Sequence, residues 1–156
     1  MRPSHLALAA LSLILTACGP SAPKGVDAER LRSEVSKAIG DPYTCVLLVE
    51  KGSGDVIWRF GDYSTCARSL PSCQGAARLN ADGLGKLAAA GEERTLSCAS
   101  TADGGSRVGW ASGTAPMSEG AKHRDLAYAA VMEGPTVLPG REIKARLEAA
   151  FRRAGL

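Results

Sequence analysis

The chain predicts an α+β domain: a five-stranded antiparallel sheet with N- and C-terminal helices packed on it. Three observations point there. Apolar, β-branched runs follow one another across short Gly- and Asp-rich turns, which is the hairpin pattern. An amphipathic helical stripe stands at each end of the domain. Neither helix could stay in water with its stripe bare, so a sheet face must cover it.

The elements follow in order. Asp27 is placed to cap a helix in which Leu31, Val35, Ala38 and Ile39 fall at helical spacing, and Gly40-Asp41-Pro42 stops it. Tyr43 to Glu50, with Cys45, Val46, Leu47, Leu48 and Val49, is short and densely apolar, a buried strand. Lys51 to Asp55 is a turn. Val56 to Tyr63 returns as the second strand, with Val56, Trp58 and Phe60 interleaved. Ser64 to Leu79 predicts an irregular loop. Asn80 caps a short helix through Leu84 and Leu87 to Gly91, weakened by Gly83 and Gly85. Arg94 to Thr101 and Arg107 to Ser112 form a hairpin about a tight Asp103-Gly104 turn. Gly113 to Lys122 is a loop, and Asp125 to Glu133 the fifth strand. Pro135 and Pro139 break the chain before a helix from Arg141 to Ala154, whose Ile143, Leu147, Ala150, Phe151 and Ala154 share one face. The order is α-β-β-(α)-β-β-β-α.

Ahead of this domain, Met1-Arg2 is followed by the apolar run Leu6 to Leu15 and by Leu15-Thr16-Ala17-Cys18. A charged start, a short apolar middle and small residues before a cysteine resemble a bacterial lipoprotein signal peptide. The run is too short for a membrane span of roughly 20 apolar residues. The resemblance implies that residues 1–17 are a signal peptide and that Cys18 is acylated. It also implies that residues 18–26, with Gly19, Pro20, Ser21, Pro23 and Gly25, are a flexible tether, and residues 27–156 one domain. The expected address is the cell envelope, lipid-anchored and facing the periplasm. Gly19 stands where some bacteria place a retention aspartate, which favours the outer membrane.

Removing residues 1–17 takes away Arg2 and no acidic residue, leaving 18 basic against 16 acidic side chains, a formal charge of +2. So even a balance excludes a nucleic-acid binder built on a concentrated basic face. Seven aromatics in 156 residues predict a thin core of Val, Leu, Ile and Ala. Cys45, Cys66, Cys73 and Cys98 are an even set in an exported chain and predict two disulfides rather than a metal site, since no CxxC pair occurs. Four cysteines allow three pairings. The short Cys66–Cys73 separation around Leu70-Pro71 favours closing that pair and leaves Cys45 with Cys98. No cofactor or metal site is predicted.

The element order is similar to the α/β domain of penicillin-binding proteins and serine β-lactamases, and in topology to profilin-like domains. Ser112-Gly113-Thr114 looks like the Lys-(Ser/Thr)-Gly strand motif of the former, but Ala111 stands in place of the lysine. Neither Ser64 nor Ser69 opens a Ser-x-x-Lys, so the base that would activate a serine is missing. His123, the one histidine past residue 18, sits in the polar strand entry Lys122-His123-Arg124 with no nucleophile placed beside it. Glu92-Glu93, as strand neighbours, point to opposite faces. Gly83-Leu84-Gly85-Lys86 lacks the spacing of a phosphate loop. The expected function is therefore a non-catalytic binding or scaffold domain for an envelope protein or cell-wall component, with Ser64, Arg68 and Gln74 on its candidate binding loop. The alternatives are a reduced relative of the penicillin-recognising hydrolases and an inhibitor of a lysozyme-type hydrolase.

Overall fold

A computed structural model describes residues 21–117 and 125–156. The elements are α1 (Ala28–Ile39), β1 (Thr44–Glu50), β2 (Val56–Phe60), α2 (Tyr63–Ala67), β3 (Leu70–Pro71), β4 (Arg78–Leu79), α3 (Ala81–Ala89), β5 (Arg94–Ala99), β6 (Arg107–Thr114), β7 (Leu126–Gly134) and α4 (Gly140–Ala154). The main sheet is antiparallel throughout, in the order β2-β1-β7-β6-β5. β7 enters between β1 and β6, so the last strand is buried on both edges. With helices over both faces as well, all of Leu126 to Met132 is buried.

Helices cover both faces. Side chains alternate along each strand, and the alternation sorts them into two cores. Val46 and Leu48 of β1 and Tyr128 and Ala130 of β7 face α1 and α4. Cys45, Leu47 and Val49 of β1 and Ala129 and Val131 of β7 face α2 and α3. The first core receives the two predicted stripes, Leu31, Val35 and Ile39 from α1 and Ile143, Leu147 and Phe151 from α4. Tyr128 and Phe151 meet edge-to-face at 5.5 Å between ring centres.

Local chemistry sets the helix ends. Asp27 accepts from the Arg30 amide at 2.8 Å, and Asn80 from the Gly83 amide at 2.8 Å. α3 forms despite its glycines because Gly85 lies against the sheet. A Cβ there would stand 3.2 Å from a methyl of Val49. At Gly140 a Cβ would collide with the carbonyls of Leu96 and Trp110, so only glycine lets α4 start this close to β5 and β6. α4 ends on Gly155 in the left-handed conformation (φ 90°), a regular glycine stop.

Three expectations change. The Ser64–Leu79 segment is organised, with α2 and the small β3–β4 pair inside it. The β5–β6 connection is not a two-residue turn. It spans residues 100–106, where Asp103 accepts from the Thr101 hydroxyl and the Gly105 amide and so holds a wider loop. The packed domain also begins before Asp27. Pro23 is buried, Ala22 and Val26 lie against the first core, and the Val26 amide donates to the Pro23 carbonyl at 3.0 Å. Two prolines and a glycine suggest a tether, but Ala22 and Val26 find apolar partners.

Candidate binding surface

The disulfides are Cys45–Cys66 and Cys73–Cys98, not the pairing favoured by the short Cys66–Cys73 separation. Sheet order gives the reason. Cys45 is on β1 and Cys98 on β5, with β7 and β6 between them. Three strand spacings of ~4.8 Å separate them by roughly 14 Å, and a disulfide spans Cα atoms less than about 7 Å apart. Cys45 instead points into the second core beneath α2, where Cys66 meets it at a Cα distance of 5.2 Å. Cys73 reaches the outer strand β5 at 5.5 Å.

These two bonds pin residues 62–79 across the second face. Leu70 and Cys66 are buried there, and the Trp110 indole donates to the Pro71 carbonyl at 2.8 Å. Cys73 takes a positive φ of 63°, unusual for a residue with a side chain, at the turn that closes β3 onto β4. The Ser72 amide bonds the Ala77 carbonyl at 3.0 Å across that turn. The Arg78 guanidinium holds Ser69, joining the two exposed stretches of the segment.

Two Tyr–Arg pairs, Tyr43 with Arg68 and Tyr63 with Arg59, stand beside this segment. Gly61 (φ 94°) packs so close to the Thr44 carbonyl that a Cβ would collide with it. The β1–β2 ladder ends with Val46 opposite Phe60; Tyr43 lies just before β1, and Tyr63 opens α2 three residues after β2. Both are exposed, at 53% and 70%. The Arg68 guanidinium lies 5.9 Å from the centre of the Tyr43 ring and donates to Glu133 at 2.8 Å. The other Glu133 oxygen accepts from the Ser100 hydroxyl at 2.9 Å. The Arg59 guanidinium sits over Tyr63 at 5.3 Å. Beside Tyr43 is a shallow cavity of about 190 Å³ lined by residues 41–43 and 132–137. It is too small for a drug-sized ligand, which takes roughly 300–1,000 Å³.

Of the predicted loop residues, Arg68 belongs to one of these pairs. Ser64 stays exposed one position after Tyr63 on α2, and Gln74 lies exposed at the β3–β4 turn, its amide bonded to the Ser72 hydroxyl. The sequence reading missed Tyr43, Tyr63 and Glu133, because each lies at a strand or helix end and carries no motif. Scarcity was the available signal: two of only seven aromatics flank Cys45 and Cys66.

The serine readings find structural roles. Ser112 is fully buried, accepts from the Arg94 amide and donates to the Glu92 carbonyl, tying β6 to the start of β5. The lysine that the fold does bring beside this strand comes from α4. A Cβ at Gly113 would stand 2.9 Å from Lys144 Nζ. Lys144 lies between Glu93 at 3.0 Å and Glu148 at 3.1 Å, and the Tyr128 hydroxyl donates to Glu148 at 2.9 Å. Partial burial works against the Lys144 charge, but its bonds to Glu93 and Glu148 prevail and hold its pKa above the ordinary lysine value. An ammonium held that way is the opposite of a neutral base. Lys144 in turn holds the Glu93 carboxyl below its usual range.

Among the described residues no group of three or more His, Cys, Asp or Glu side chains could hold a metal ion, and no helix is long and apolar enough to cross a membrane. Cys18 and His123 lie outside the described residues. No protein-family model, no curated protein and no solved structure matches the chain.

Proposed function

We propose that this chain is a cell-envelope lipoprotein, acylated at Cys18, whose single domain binds an envelope protein through Tyr43, Tyr63 and Arg68. The carrying observation is that two exposed tyrosines each pair with an arginine, and that Tyr63 and Arg68 sit on a segment tied to the sheet by two disulfides. Tyr and Arg are enriched at protein interfaces and at their energetic centres. A surface already fixed in shape loses less conformational freedom on binding. Two disulfides accord with an extracytoplasmic domain. The alternative, a hydrolase inhibitor, draws on the exposed turn from Gln74 to Arg78, also anchored by Cys73.

Site-specific photo-crosslinking in intact cells separates the two. A photoreactive residue at Tyr63 is expected to give one discrete adduct that Arg68→Glu abolishes. An adduct at Gln74 and none at Tyr63 favours the inhibitor. Adducts at neither position contradict both. Fractionation of Cys18→Ser cells tests the anchor separately: membrane-bound mature protein after that change would remove the lipoprotein reading.

A further inference from the structure

The formal charge of +2 conceals an uneven distribution. α1 and α4 together carry eight Lys and Arg against four Glu. The remainder of residues 18–156 then holds ten basic and twelve acidic residues, a net −2. The positive excess therefore lies on α1 and α4. α1 and α4 run antiparallel. Glu34 meets Arg153 at 2.6 Å, while Lys37 and Ala38 share a groove with Ala145, Arg146 and Ala149. Glu34 answers both Lys37 and Arg153, and Glu142 answers Arg146. Arg30, Arg141 and Arg152 are exposed. Against these three the outward side of the layer has Glu29.

A second observation bounds how far this face lies from Cys18. Ala22 and Val26 pack on the same core as α1 and α4. The chain from Cys18 to Ala22 can reach at most ~14 Å at about 3.5 Å per residue. An acyl group on Cys18 would keep Ala22, which packs on this core, that close to the bilayer.

We infer that the outer surface of α1 and α4 lies against anionic phospholipid of the bilayer that holds Cys18. The disulfide-pinned segment, on the opposite face of the sheet, then points away from the membrane toward a partner. This orientation rests on the anchor reading, but the charge contact can be measured without the anchor. Each basic residue near an anionic surface contributes attraction equivalent to about fivefold in partitioning, and salt screens it.

The test uses residues 18–156 carrying Cys18→Ser, oxidised and without acyl chains, sedimented with vesicles. One set is phosphatidylcholine alone, the other phosphatidylcholine with phosphatidylglycerol. Binding is expected only to the second set and is expected to weaken as salt rises. Arg141→Gln with Arg152→Gln should lower it by at least about tenfold. Arg78→Gln with Lys86→Gln, an equal charge change on the α2/α3 side of the sheet, should lower it by less than about twofold. Equal losses from both pairs, or no preference for phosphatidylglycerol, would overturn the inference. So would a solution dimer that the Arg141/Arg152 change dissolves, because the face would then be covered by a second copy. Thermal melts of all variants check that each remains folded. If Cys18 proves unmodified in cells while vesicle binding follows this pattern, the anchor reading alone fails.

Discussion

The two faces of the sheet are held in different ways. The α1/α4 face is closed by long apolar stripes, with Leu31, Val35, Ile143, Leu147 and Phe151 all at 0% exposure. The α2/α3 face has a short α3 with Leu84 and alanines, and a five-residue α2 that contributes Cys66. Two disulfides and the Trp110–Pro71 bond complete it. The first face is fixed by ordinary burial. The second orders residues 62–79, which carry Tyr63 and Arg68, covalently, and the proposed function rests on the shape so fixed.

Substitutions on the two faces should fail in different ways. Phe151→Ala should have the largest effect, because it leaves a cavity beneath Tyr128 in the burial-held face. A loss of about 3–5 kcal/mol is expected by denaturant titration. Replacing Cys45 and Cys66 together with alanine should cost about 3 kcal/mol, the usual contribution for a loop of this length. The informative part is where the loss appears. Amide exchange should accelerate mainly in residues 62–79 and little in α1 and α4. Uniform acceleration would mean that the two faces are not separately held.

A smaller effect sharpens the first face. Tyr128→Phe removes the hydroxyl bonded to Glu148 and should cost about 1.5 kcal/mol at neutral pH. Burial, and then the Glu148 charge, push the Tyr128 pKa above its ordinary value of 10.0. The folded protein therefore resists losing that proton while the unfolded chain does not. The contribution is complete below about pH 10 and is lost as pH rises beyond it. The wild-type melting temperature should fall more steeply above pH 10 than that of Tyr128→Phe. At the acid end the sign reverses. Glu34, through Arg153 and Lys37, and Glu93, through Lys144, are held below 4.5. Their contribution is present above that pH and fades as pH falls through the lowered values.

The sequence made the burial-held face legible and the covalent face largely opaque. Helical spacing in Leu31–Val35–Ile39 and Ile143–Leu147–Phe151 marks α1 and α4 directly, and the strand runs mark the sheet. Nothing local reveals that β7 inserts between β1 and β6, because strand order is a long-range property. That order decides the disulfides. With β1 and β5 three positions apart, Cys45 cannot reach Cys98, whatever the cysteine spacing suggests. The candidate surface was half legible for the same reason. Arg68 lies on the loop singled out by its cysteines. Its partners Tyr43 and Glu133 come from the start of β1 and the end of β7, 25 residues before it and 65 after it in sequence.

Peptide mapping of the oxidised protein under non-reducing conditions tests the covalent account most directly. It should yield two linked pairs, Cys45 with Cys66 and Cys73 with Cys98, and no free thiol among the four. A Cys66–Cys73 linkage would leave α2 unattached to β1 and the β3–β4 turn unattached to β5. The segment that presents Arg68 would then lack both covalent ties, and the account of a shape-fixed binding surface would be contradicted.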